Sequence, residues 1–143
     1  MKMEHIVIEI ATKELQALKD FIKVLREERD SIISFSLEGI IRGNNRKEEI
    51  IRKIEYLESE KDKFIKEMKD PETIFSSERW AYLSRETRAV MKEINEALGK
   101  NVKLLSFSMD HVRSSIENIV GFINKAAYGS KQERISFFPV REI

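Results

Sequence analysis

The residue types that most often bind metals or act in catalysis are few in this chain and do not cluster in its sequence. The two histidines, His5 and His111, lie far apart, and there is no cysteine to complete a zinc site or form a disulfide. The chain contains neither the GxxxxGK[ST] pattern of a phosphate loop nor the GxGxxG pattern of a dinucleotide site. We therefore expect no catalytic residues, no metal and no cofactor.

Charged residues are numerous, but their arrangement is typical of solvated helical faces. Between residues 46 and 70, 16 of 25 residues are charged. The basic residues Arg42, Arg46 and Lys47 in "RGNNRK" are candidates for phosphate contact. An exposed polar turn is the more ordinary interpretation, and a net charge of +1 argues against a dedicated nucleic-acid binder.

A charge-poor segment near the end of the chain is the best candidate for binding. Only 5 of the 27 residues from 101 to 127 are charged, and interfaces are depleted in charge and enriched in aromatic residues and Met. We predict binding of another protein through an apolar stripe, with two phenylalanines at its margins. The stripe comprises Leu105, Met109, Val112, Ile116, Ile119 and Ile123, and the margins are Phe107 and Phe122. Periodicity alone favours the alternative, a stripe buried in the core of a four-helix bundle; the low charge around the whole circumference of this segment is what favours a binding surface.

Long helices are needed to position this stripe. Apolar residues at steps of three and four predict a first helix from about Ile6 to Ser34. A bend or break is expected between Ser34 and Asn45, where Ser36 can cap the second helix and Gly43 lowers helix propensity. The second helix should end before Pro71, which restricts the residue preceding it.

The third helix is predicted to be the longest. Ser76 or Ser77 can cap it, its apolar rhythm runs from Trp80, and Gly129 suits its C-terminus. It would be about 75 Å long if unbroken, against about 40 and 50 Å for the first two. Its far end therefore projects, unless the helix breaks near Gly99 and folds back. The fold class is all-α: an antiparallel, coiled-coil-like bundle of three long helices.

With 143 residues, the chain fits one domain. We assign residues 1–127 to it, divided into a scaffold (1–98) and a helix that binds the protein partner (99–127), and residues 128–143 to a C-terminal tail. Phe137, Phe138 and Val140 in the tail are expected to form a weak cover on the stripe of the same molecule or of a neighbouring one, with a disordered tail as the alternative. No signal peptide and no membrane span are recognisable, which favours a cytoplasmic location.

Several motifs, taken in order, resemble the FlgN family of flagellar type III export chaperones. The first helix carries "KELQALKDFIKVLREERDSI", and "SLEGI", "KEEIIRKIEYLE", "NVKLLSFSMDHV" and "AAYG" follow. The positions similar to the family pattern are Ser36, Leu37, Glu38, Lys47, Asn101, Leu104, Leu105, Ser108, Tyr128 and Gly129.

The resemblance implies a cytoplasmic chaperone that binds the C-terminal helices of hook–filament junction proteins (FlgK and FlgL). It would keep these clients soluble and export-competent and bring them to the flagellar export apparatus. It also implies that the C-terminal part of the chaperone binds the client. Two alternatives remain: a structural coiled-coil adaptor that self-associates through the same stripe, and a chaperone for a different secretion client. A homodimer is possible, and neither membrane insertion nor nucleic-acid binding is expected.

Overall fold

A computed structural model describes residues 2–128 and consists of helices joined by short turns. The helices are α1 (Met3–Ile33), α2 (Leu37–Glu67), α3 (Glu72–Phe75) and α4 (Glu78–Tyr128). No strand occurs in this part of the chain. The predicted all-α class with long helices is confirmed, whereas the short α3 was not predicted.

Helix α1 lies in the middle and packs along both α2 and α4. Lys47 and Lys61 of α2 pair with Glu28 and Glu14 of α1, so residue numbers rise in one helix as they fall in the other. Because of this register, α1 and α2 run in opposite directions.

Helix α4 runs in the same direction as α1. Arg26 lies beside Glu93, with 4.0 Å between Nη2 and Oε2, and Glu28 lies beside Asn101 at 2.9 Å. The chain thus ascends through α1, descends through α2 and ascends again through α4, which carries the end of α4 past the α1–α2 turn.

The hydrophobic core lies mainly between α1 and α4. Because α1 is flanked on two sides, it supplies most of the buried apolar residues, and α2 adds Leu57 while α3 adds Ile74. The central cluster consists of Leu15, Phe21, Ile22, Leu25, Leu83, Val90 and Ile94.

The turn between α1 and α2 is a tight helix cap. Ser36 N–H donates to Ser31 O at 2.8 Å and Phe35 N–H donates to Ile32 O at 3.1 Å, which is the Schellman pattern. The Ser36 hydroxyl accepts from Gly39 N–H at 3.1 Å, as predicted for the cap of the second helix. Phe35 has φ 56°, a left-handed conformation that usually selects glycine at this position.

The structure shows where the chain breaks between α1 and α2 and whether α4 breaks at Gly99. The break is confined to residues 34–36, and residues 43–45 are helical, because packing of α2 on α1 outweighs their low propensity. Helix α4 is continuous through Gly99, where a side-chain Cβ would meet nothing within 4 Å and solvent surrounds the position. The Ser77 hydroxyl accepts from Trp80 N–H at 3.2 Å and caps α4 as predicted.

Candidate binding surface

The C-terminal part of α4 extends well beyond the other helices. Asn101 Nδ2 donates to Leu25 O at 2.8 Å, so α4 passes Asn101 when only about two turns of α1 remain. The rest of α4 is about 40 Å long at 1.5 Å per residue. No side chain from residue 102 to residue 126 is buried.

The predicted binding residues lie on this extension and face solvent. Phe107 is 70% exposed, Ile119 58% and Phe122 73%; Leu105, Met109, Val112 and Ile123 are also exposed. Ile116 is half-buried. In the described chain the stripe is therefore not packed in the core.

Helix geometry separates these residues into a stripe and its surroundings. At 100° per residue, the six stripe residues from Leu105 to Ile123 fall within about 80° of the helix circumference. Phe122 lies about 60° outside this sector. Phe107 is about 200° from Met109. It therefore lies on the opposite face of α4 from the stripe.

The α1–α2 turn adds a second wall to the stripe. Phe35 and Leu37 are 59% and 70% exposed and stand opposite α4. The α1–α2 turn on one side and the stripe of α4 on the other form a solvent-open groove of about 330 Å³, here called the hairpin-tip groove. Its lining consists of Ile32, Phe35, Leu37, Ile40, Leu105, Ser108, Met109, Val112, Arg113 and Ile116. Sequence reasoning missed this wall, although apolar residues in "SFSL" at a helix break were the available signal.

A buried polar junction ties the three long helices together just below the groove. The Glu28 carboxylate is 7% exposed and accepts from Lys47 Nζ of α2 through Oε2. Its Oε1 accepts from Asn101 Nδ2 of α4 at 2.9 Å. Asn101 is 3% exposed and also bonds the Leu25 carbonyl. The junction therefore fixes where α4 leaves the scaffold.

A second polar cluster lies at the other end of α1 and α2. Lys61 Nζ is 3.1 Å from Glu14 Oε1 and 2.9 Å from Glu58 Oε2, and it sits 6.0 Å from the Trp80 ring centroid. Burial raises the pKa of Glu14 to about 7, and its hydrogen bond with Glu58 adds to the shift. That hydrogen bond and the one from Lys61 lower the pKa of Glu58. Burial opposes the charge of Lys61, but its two carboxylate partners raise its pKa overall.

The basic residues considered for phosphate contact are engaged within the protein. Arg42, Arg46 and Lys47 each pair with a carboxylate of α1 or α2, with Arg46 Nη1 3.1 Å from Glu27 Oε2. These pairs neutralise the cluster and stabilise the α1–α2 hairpin, which leaves little excess positive charge for a phosphate backbone.

The described residues contain no group of three or more His, Cys, Asp or Glu side chains placed to hold a metal. None of the helices that the structure describes is long and apolar enough to cross a membrane. The tail residues Phe137, Phe138 and Val140 lie outside the described residues.

A helical scaffold with an exposed apolar extension is typical of proteins that bind other proteins. The chain belongs to the FlgN family: the family described as "FlgN protein" matches residues 1–134. This membership confirms the resemblance in the sequence and implies a general role as a flagellar export chaperone. No curated protein and no solved structure matches the chain.

Proposed function

We propose that this protein is a cytoplasmic chaperone that binds the C-terminal helices of hook–filament junction proteins of the FlgK and FlgL type. It keeps them soluble and export-competent until they reach the flagellar type III export apparatus. The observation that carries the proposal is the exposed stripe on α4 beyond Asn101, in a chain of the FlgN family.

The stripe has the chemistry of a helix-docking surface. Its residues recur at steps of three and four on one helix face, so an amphipathic client helix can lie along them. The few charges in this segment reduce the cost of removing water from the interface. In this proposal residues 1–98 are the scaffold and residues 99–127 bind the client, with α4 spanning both parts.

Co-purification with C-terminal fragments of hook-associated proteins tests the proposal. Ile119→Asp places a charge on the exposed stripe and should weaken binding at least tenfold, with helical content and melting close to the wild type. Ser114→Asp is the matched control, since it places the same charge on the same extension about 140° away. Its binding should stay within twofold of the wild type, and equal losses in both variants would contradict a defined docking face.

A scaffold variant provides the converse control. Leu57 is 7% exposed, and Leu57→Ala should cost ~2–5 kcal/mol of stability. Client affinity measured well below the melting temperature should be unchanged, because Leu57 is remote from the stripe. Loss of affinity without loss of stability would place the binding site in the scaffold.

Self-association through the stripe is the competing function. An adaptor of this kind would form a stable dimer, would bind no hook-protein fragment, and would dissociate on Ile119→Asp. Solution mass, measured with and without the fragment, distinguishes the two.

A further inference from the structure

One wall of the hairpin-tip groove contains a residue in an unfavourable backbone conformation. Phe35 occupies the left-handed position of the α1 cap, where glycine is favoured, and yet it displays an aromatic ring that is 59% exposed on the groove wall. Backbone strain of this kind clusters at binding sites, where the surrounding structure maintains it for a purpose. The left-handed Phe35 on its wall therefore marks the groove as a candidate binding site.

The chain itself carries a segment of matching chemistry. The sequence after α4 contains "ISFFPV", in which Phe137, Phe138 and Val140 are strongly apolar and Pro139 prevents a regular helix. The family match ends at residue 134, so this segment lies beyond the part shared with the family.

The distances allow this segment to reach the groove. Along α4, Val112 lies about 24 Å back from Tyr128, and Ser108 about 30 Å back. Nine residues after Tyr128, Phe137 can span up to about 30 Å in extended form, and Val140 up to about 40 Å. The apolar residues of the tail and the apolar walls of the groove therefore meet at the same level if the chain reverses after α4.

We propose that Phe137, Phe138 and Val140 occupy the hairpin-tip groove of the same molecule when no client is bound. The tail then covers the walls formed by Phe35 and Leu37 on one side and by Met109 and Val112 on the other. Displacement of this cover by a client rests on the proposed function. The contact between tail and groove does not depend on a client.

Disulfide trapping tests the contact directly, because the chain has no cysteine of its own. Arg141→Cys is combined with Ser108→Cys, which lines the groove, or with Ser114→Cys, which lies on the opposite side of α4. Ser114 is about 9 Å closer to Tyr128 along the helix, so an unattached tail would reach it at least as readily. Under mild oxidation we expect the Ser108 pair to form an intramolecular disulfide at least fivefold faster.

The remaining outcomes are distinct. Adding Phe137→Ser and Phe138→Ser should lower the rate of the Ser108 pair to that of the Ser114 pair if apolar contact holds the tail. Equal rates in the two starting pairs overturn the proposal. Disulfide-linked dimers without the intramolecular product also overturn it and identify a second copy as the occupant. Because no client is present, failure here is independent of the client-binding test.

Discussion

The junction at Glu28 should respond strongly to loss of its cationic partner. In Lys47→Met the Glu28 carboxylate stays at a site only 7% exposed, with Asn101 as its remaining partner. Removing one member of a buried ion pair typically costs ~3–5 kcal/mol, because the other charge is left uncompensated. Domains of this kind have a total stability of about 5–15 kcal/mol, so the variant should lose a large share of it.

An adjacent ion pair gives an internal control. Arg46 and Glu27 join the same two helices at 3.1 Å, but their side chains are 51% and 64% exposed. Exposed pairs contribute about 0–1 kcal/mol, so Arg46→Met should be nearly neutral. Urea unfolding followed by circular dichroism measures both variants. Equal costs for the two would refute the view that burial sets the energy of the Glu28 junction, and so would a cost below about 1 kcal/mol for Lys47→Met.

Other predictions concern the helix ends and the lower polar cluster. The pKa of Glu14 is about 7 in the folded protein, against an ordinary value of 4.5. Between about pH 4.5 and 7 the folded state therefore holds one more proton at this carboxyl than the unfolded state does. In this pH range the unfolding free energy of the wild type should therefore fall relative to that of Glu14→Gln as the pH rises, and parallel stability–pH curves would contradict this. Gly99→Ala should stabilise the protein by about 0.5–1 kcal/mol in thermal unfolding. Gly39→Ala should destabilise it, since the new Cβ would lie 2.9 Å from Ser31 Cβ; a stabilised variant would show that the turn relaxes. Phe35→Gly should raise the unfolding free energy by ~1 kcal/mol and slow the disulfide that traps the tail, and a destabilised variant would count against strain at the turn.

Local sequence signals predicted the helices well because caps and periodicity are local. Ser36 and Ser77 cap the second and last long helices as their hydroxyls suggested, and the apolar steps gave the helical faces. The break was expected somewhere between Ser34 and Asn45 and falls at residues 34–36. Residues 43–45 are helical because packing against α1 decides their conformation. Propensity within a short window contains no information about that packing.

The candidate binding surface could be predicted only in part. The stripe on α4 follows from charge depletion along one segment, which a sequence shows directly. The opposing wall at Phe35 and Leu37 depends on how far α4 travels past the turn. Glu28 and Asn101 gave no local indication that they meet, because they are 73 residues apart. Contacts of this separation are properties of the fold rather than of a sequence window.

The unbroken course of α4 through Gly99 has a consequence for changes in chain length. One rigid helix carries both the residues that pack on α1 and those that face the groove, so the two sets share a single rotational phase. Inserting one residue between Asn101 and Leu105 would rotate the whole apolar stripe by about 100° away from the hairpin tip. Inserting seven would turn it by only about 20° and move it about 10 Å outward. Only insertions close to whole helical turns in length therefore keep the stripe facing the hairpin tip. Under the proposed function, a single-residue insertion there should abolish client binding while leaving the scaffold folded.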